Sequence, residues 1–164
     1  MDSLVSAHSP RPLQAVLHLC AGRPGLEKAT AQIAAGCEGG QISRRDNAGR
    51  TALFDACGSG SPEAVAILKG AGLRFDVEDA MGRICIFACA ETGRIDTLEK
   101  ALALGAGVVH RDDKRMTAGD YAAKCGHKNV SGRVNEGLAR AGKNRLRSRA
   151  RMIGKFAAAS PFGK

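Results

Sequence analysis

Aromatic side chains are scarce in this chain of 164 residues, which has no tryptophan, one tyrosine and five phenylalanines. Proteins that bind single-stranded nucleic acid rely on such rings to stack the bases. Only Phe156 and Phe162 lie near the most basic part of the sequence, which argues against sequence-specific reading of nucleic acid. No long charge-free apolar run occurs, so no membrane span is expected. The opening stretch, MDSLVSAHSPRPLQAVLHLC, has an acid at position 2 and polar residues before its only apolar run. It therefore lacks the charged head and apolar middle of a secretory signal. No glycine-rich loop of Walker or Rossmann spacing is found, and the glycines are better explained by turns.

What is present suits one soluble domain. A 44% hydrophobic content is enough for one continuous core, and the length is too short for two ordinary domains. Six cysteines (Cys20, Cys37, Cys57, Cys85, Cys89 and Cys125) are spread through helical patterns without a secretory signal. They read as thiols in a reducing compartment, so an intracellular, cytoplasmic protein is expected.

The stretch GRTALFDACGSGSPEAVAILKGAG, residues 49–72, reads as a short helix, a glycine turn, a second helix and a stop. The pattern recurs. Asp46-Asn47-Ala48-Gly49-Arg50 returns 33 residues later as Asp79-Ala80-Met81-Gly82-Arg83, and after 33 more, altered, as Asp112-Asp113-Lys114-Arg115-Met116. Gly60, Gly93 and Gly126 keep the same register, as do the small residues Ala56, Cys89 and Ala122. Thr51 and Ser61 precede helical runs as side-chain caps, and Pro62 suits a first helical position. The next outer helix spaces Ile95, Leu98, Ala101 and Leu102 along one face, with Gly105 as its stop. The last outer helix repeats this stripe with Val130, Val134, Leu138 and Ala141. It carries Gly132 and Gly137 internally, each costing about 0.5–1 kcal/mol relative to alanine, so it is expected to be the loosest unit.

A period of 33 with two helices per unit, together with the motif-like stretches Thr51-Ala52-Leu53-Phe54-Asp55-Ala56, Ile84-Cys85-Ile86-Phe87-Ala88-Cys89 and Thr117-Ala118-Gly119-Asp120-Tyr121-Ala122, resembles the ankyrin-repeat family. Leu17-His18-Leu19-Cys20-Ala21 is similar to a degenerate first copy of the motif. The family's histidine is replaced by Phe54, Phe87 and Asp120, and Ile84 lacks the capping hydroxyl, so an incomplete hydrogen-bond lattice and moderate stability are expected. The resemblance implies an all-α ankyrin-repeat solenoid of about four helix-turn-helix units. Its expected layout is an N-terminal extension at 1–12, repeats at 13–141 (units 13–45, 46–78, 79–111 and 112–141) and a basic C-terminal tail at 142–164. Turns are expected near 44–50, 77–83 and 110–116.

Such an array buries one face of each helix pair against the next and leaves a concave side open. The turn tips and inner-helix edges are then the candidate contacts: Asn47, Ala48, Arg50 and Ser59; Ala80, Met81, Arg83, Glu91 and Thr92; Asp113, Lys114, Met116, Lys124 and Cys125. This mixed surface suits a protein partner within a larger assembly, or these are simply solvated turn residues. No catalytic residues, cofactor or metal are expected. Cys85 and Cys89 stand four apart, but they fill the slots of Ala52 and Ala56, so they read as core. His18 and His127 fall where the family often carries histidine, while His8 and His110 have no matching set.

Charge is uneven. Residues 140–164 carry Arg140, Lys143, Arg145, Arg147, Arg149, Arg151, Lys155 and Lys164 and no acid. Arg145, Arg147, Arg149 and Arg151 alternate, so an extended chain would place them on one side, facing phosphates or carboxylates. Two readings stand for this tail: a solvated appendage, or an auxiliary anchor for an acidic surface. The alternative function is a ribonucleoprotein component whose tail follows RNA backbone.

Overall fold

The computed structural model describes residues 11–37 and 41–158; for 11–14, 41 and 145–158 it describes the backbone alone. Among the described residues the chain is all helical, with no strand. Its helices are α1 (Arg11–Ala21), α2 (Glu27–Gly36), α3 (Ala52–Ser59), α4 (Pro62–Gly70), α5 (Ile86–Thr92), α6 (Ile95–Ala103), α7 (Ala118–Lys124) and α8 (Lys128–Ala158). A 3-10 turn, Gln41–Ser43, leads into the first long connection. Residues 1–10 of the expected N-terminal extension, with His8, and residues 159–164 of the expected tail, with Phe162 and Lys164, lie outside the described residues.

The helices form two rows. The odd-numbered helices pack α1 on α3 on α5 on α7, and behind them α2, α4 and α6 pack in the same order. One apolar core runs between the rows, with Leu53, Ala56, Val65, Leu68, Ile86, Cys89, Leu98, Ala122, Val130 and Val134 all buried. The equivalent small residues Ala56, Cys89 and Ala122 are each fully buried, because short neighbouring helices can approach only where side chains are small. Leu53 and Ile86 stand beside them as the large core residues of the inner row.

The connections at 44–50, 77–83 and 110–116 are non-helical, as expected, and each is organised by its aspartate. Asp46 Oδ1 accepts from the Ala48 and Arg50 amides, Asp79 Oδ1 from those of Met81 and Arg83, and Asp112 Oδ1 from those of Lys114 and Met116. Successive turns are joined through their backbones, Ala80 N donating to Ala48 O at 2.9 Å and Asp113 N to Met81 O at 3.2 Å. This lattice is local to the turns and independent of the inner-helix histidine slot. Asp120, in that slot, closes a capping box with Thr117 instead.

Three expectations are corrected. Thr51 precedes α3 but its side chain makes no cap; its hydroxyl is buried without a partner, and α3 opens on the backbone bond from Phe54 N to Thr51 O. Ser61 does cap, accepting from Ala64 N at 3.3 Å, with Pro62 as the first helical residue. The tail expected from residue 142, which would share its arginines on one side only if extended, is helical through Ala158: α8 does not stop near Ala141 but runs unbroken for 31 residues, roughly 46 Å at 1.5 Å per residue. Residues 139–158 contain no proline and are mostly Ala, Arg, Lys, Leu and Met, whose helix propensity outweighs the alternating charge. Cations late in a helix also favour its C-terminal dipole. Positions two apart on a helix lie about 200° apart, so the four alternating positions do not share one side. Gly137, expected only to loosen this helix, sits where an added Cβ would lie 3.1 Å from Val108 Cγ2, so its smallness admits a close approach.

Candidate recognition groove

Two clefts run along the open side of the inner row and join at Gly22, Arg50 and Asp55, which line both. The first, of about 1090 Å³, lies between the end of α1 and the first turn, and Leu19, Arg23, Arg44, Arg45 and Asn47 are among its walls. The second, of about 390 Å³, continues across α3 and α5 and is walled by Ser59, Arg83, Glu91 and Thr92. Gly58 and Ala88 keep its floor low, since an added Cβ at Gly58 would already lie 3.7 Å from that of Ala88.

The groove is held by bonds to its carboxylates, of which one crosses between units and the others each lie within a single unit. His18 on α1 reaches Asp55 on α3, with Nδ1 2.6 Å from Oδ2 and the imidazole N–H donating to the carboxylate. Arg50 Nε donates to Asp46 Oδ2 at 2.9 Å. Arg83 repeats this on Asp79 at 2.9 Å and also reaches Glu91 Oε1 at 2.6 Å, tying the turn to the end of α5. The Asp79 side chain is 2% exposed, so its attraction to Arg83 is screened less than in a surface bridge, while both groups give up hydration to make it. Burial alone would raise the Asp46 and Asp79 carboxyls, but bonds from the Arg50 and Arg83 amides and guanidiniums outweigh it and hold both below the ordinary aspartate range. Asp112 is lowered too: burial opposes it, and the Tyr121 hydroxyl with the Met116 and Lys114 amides prevails.

Of the residues expected at contacts, Asn47, Arg50, Ser59, Arg83, Glu91 and Thr92 come together in this groove. Met81, Asp113, Lys114, Met116 and Lys124 line neither cleft. Met81 is 55% exposed at a turn tip, whereas Met116 is half-buried and its sulfur accepts from Lys124 Nζ at 3.3 Å. For Arg145, Arg147, Arg149 and Arg151 the helical backbone is described and the side chains are not. Sequence reasoning missed Asp55, Arg23, Arg44 and Arg45 as wall residues. Asp55 carries a signal, being the one acid in an otherwise apolar or small inner helix, ALFDACGS. His110, without a set in the sequence, donates from Nε2 to Gly82 O at 2.7 Å and meets the Phe87 ring edge-on at 6.2 Å.

Among the described residues no three His, Cys, Asp or Glu side chains gather in a way that would hold a metal, and no helix is long and apolar enough to cross a membrane. Cys57, Cys85 and Cys89 are buried together, and hydrogen bonding with its two neighbours and burial push the Cys57 thiol up. Comparison of the sequence with protein-family models gave no match, and comparison with curated proteins gave none either.

Proposed function

We propose that this protein is a non-enzymatic interaction module, an ankyrin-repeat array of about four units that holds a protein partner in its concave groove within a cytoplasmic assembly. The observation that carries the reading is the joined groove itself. Six residues picked out by repeat register line it, and its exposed side chains, such as Asn47, Glu91 and Thr92, belong to the surface rather than the core. Support for the repeat family is the 33-residue register of Asp46, Asp79 and Asp112, which place the same turn between the same two rows. A polar rim around a low floor of small residues is the surface on which a partner's protruding side chains gain buried area.

Substituting Thr92→Glu together with Asn47→Glu tests the reading, because both side chains line the groove, one in each cleft, and both are exposed rather than part of the core. Affinity capture of the natural partner is expected to be lost while circular dichroism stays unchanged. Capture that survives places the contact elsewhere. A second reading, RNA backbone contact by the basic end of α8, is favoured by the eight cations and absence of acids over residues 140–164. Nuclease treatment that releases the captured partners would support it, and so would affinity that falls steeply with added salt.

A further inference from the structure

The first cleft has a charge imbalance that its own groups do not cancel. Four arginines, Arg23, Arg44, Arg45 and Arg50, face two aspartates, and both aspartates are already engaged, Asp46 by Arg50 and Asp55 by His18. Arg45 donates to the backbone carbonyl of Glu78 at 3.0 Å, a bond that leaves its charge uncompensated. Arg23 and Arg44 are exposed and have no carboxylate partner among the described residues. Every long cation in this wall is arginine and none is lysine, which favours planar, two-pronged acceptors over point anions. In the same wall Leu19 is 53% exposed, an apolar platform among the guanidiniums.

We propose that this cleft recognises an acidic peptide segment, an extended stretch in which carboxylate side chains flank an apolar one. The carboxylates meet Arg23, Arg44 and Arg45, the apolar side chain rests on Leu19, and the Asn47 amide offers both a donor and an acceptor to the peptide backbone. Nucleic acid fits less well. Its phosphates would satisfy the arginines, but no phenylalanine, tyrosine or tryptophan lines the cleft to stack a base, the His18 ring is already bonded to Asp55, and nothing would use Leu19. The inference rests on the interaction reading above and adds the chemistry of the partner and the end of the groove that reads it.

The test uses the full chain and fluorescence anisotropy with three labelled probes: a leucine-centred glutamate peptide, the same peptide with glutamine for glutamate, and a single-stranded oligouridine. The acidic peptide is expected to bind, and the glutamine analogue to bind at least about tenfold more weakly, a difference of about 1.4 kcal/mol. Arg23→Gln with Arg44→Gln should weaken the acidic peptide about tenfold and flatten its salt dependence. Leu19→Ser should weaken it while leaving that dependence in place. Because the Arg23 and Arg44 side chains bond to no other part of the fold among the described residues, these variants should keep the parent circular dichroism, and Lys114→Glu, at a distant turn, should bind as the parent does.

Equal binding of the two peptides overturns the inference, as does tighter binding of the oligouridine or an arginine variant that binds the acidic peptide like the parent. Partner capture separates the two claims. If the acidic peptide fails while Thr92→Glu with Asn47→Glu still abolishes capture, the groove stands and its acidic specificity falls. If that groove variant also captures normally, both fall.

Discussion

Tyr121 donates its hydroxyl to Asp112 Oδ2 at 2.8 Å, in the place where Arg50 grips Asp46 and Arg83 grips Asp79. The exchange follows from one residue. Met116 stands in the register of Arg50 and Arg83, so the last turn has no guanidinium four residues after its aspartate, and a side chain from α7 supplies the missing donor. The bond draws the Tyr121 pKa up, since the hydroxyl that donates to a carboxylate resists losing its proton. Tyr121 also meets Phe87 edge-on at 5.3 Å, so the substitute donor is held by the neighbouring unit.

Tyr121→Phe is therefore expected to destabilise the protein by about 1.5–3 kcal/mol, the range for a lost bond to a charged acceptor. Adding Met116→Arg to that variant should recover part of the loss by restoring the pair seen in the two preceding turns. Urea denaturation of the three proteins decides it, and a double variant no more stable than Tyr121→Phe would remove the equivalence of the turns.

Arg115 has φ of 61°, and the residues in its register, Gly49 and Gly82, have φ of 78° and 68°. A side chain in that conformation costs roughly 1–2 kcal/mol. Arg115→Gly should raise the denaturation midpoint, by about 1 kcal/mol once the greater entropy of an unfolded glycine is subtracted. The reverse change, Gly82→Ala, should destabilise, because its Cβ would lie 2.5 Å from Asp113 Oδ1 as well as straining the turn.

Leu53 and Ile86 occupy equivalent positions with 0% and 1% exposure. Truncating either to alanine removes apolar contact and leaves a cavity between two helices, at a cost of about 2–5 kcal/mol. Denaturation midpoints measured for both variants should fall well below the parent's, whereas Met81→Ala should leave the midpoint unchanged.

Acid should act through the turns. Asp46, Asp79 and Asp112 all have carboxyls lowered in the folded state, against the desolvation that opposes them, by bonds from their own turns and from Arg50, Arg83 or Tyr121. A lowered folded pKa means the unfolded chain takes up protons first. Their stabilisation is fully present above the unfolded value of about 3.9 and is lost as pH falls below it through the folded values. Asp79→Asn should lower stability at neutral pH and flatten the acid slope of the denaturation midpoint, with little change in slope at alkaline pH.

The parts of this fold that depend on local pattern were legible in the sequence. The 33-residue register located all three turns, and Ser61 with Pro62 marked the start of α4, because each feature is set by residues close in the chain. Contacts that depend on distant residues were not. His18 and Asp55 are 37 positions apart and Tyr121 reaches Asp112 from the next helix, so neither bond has a periodic signature. The end of α8 was misjudged for a different reason. Alternating arginines suggest a strand-like period of two, but with no proline or paired strand to hold an extended chain, helix propensity decides. In the groove, register found the residues on turns and helix edges and missed Arg23, Arg44 and Arg45, which belong to the irregular first unit and its connection.

The groove is tested most directly by amide chemical-shift mapping of the protein with and without its captured partner. Perturbations are expected to cluster at Asn47, Ser59, Glu91 and Thr92, with the outer faces of α2, α4 and α6 unchanged. Perturbations confined to those outer helices or to the end of α8, with the four groove residues unmoved, would contradict the account.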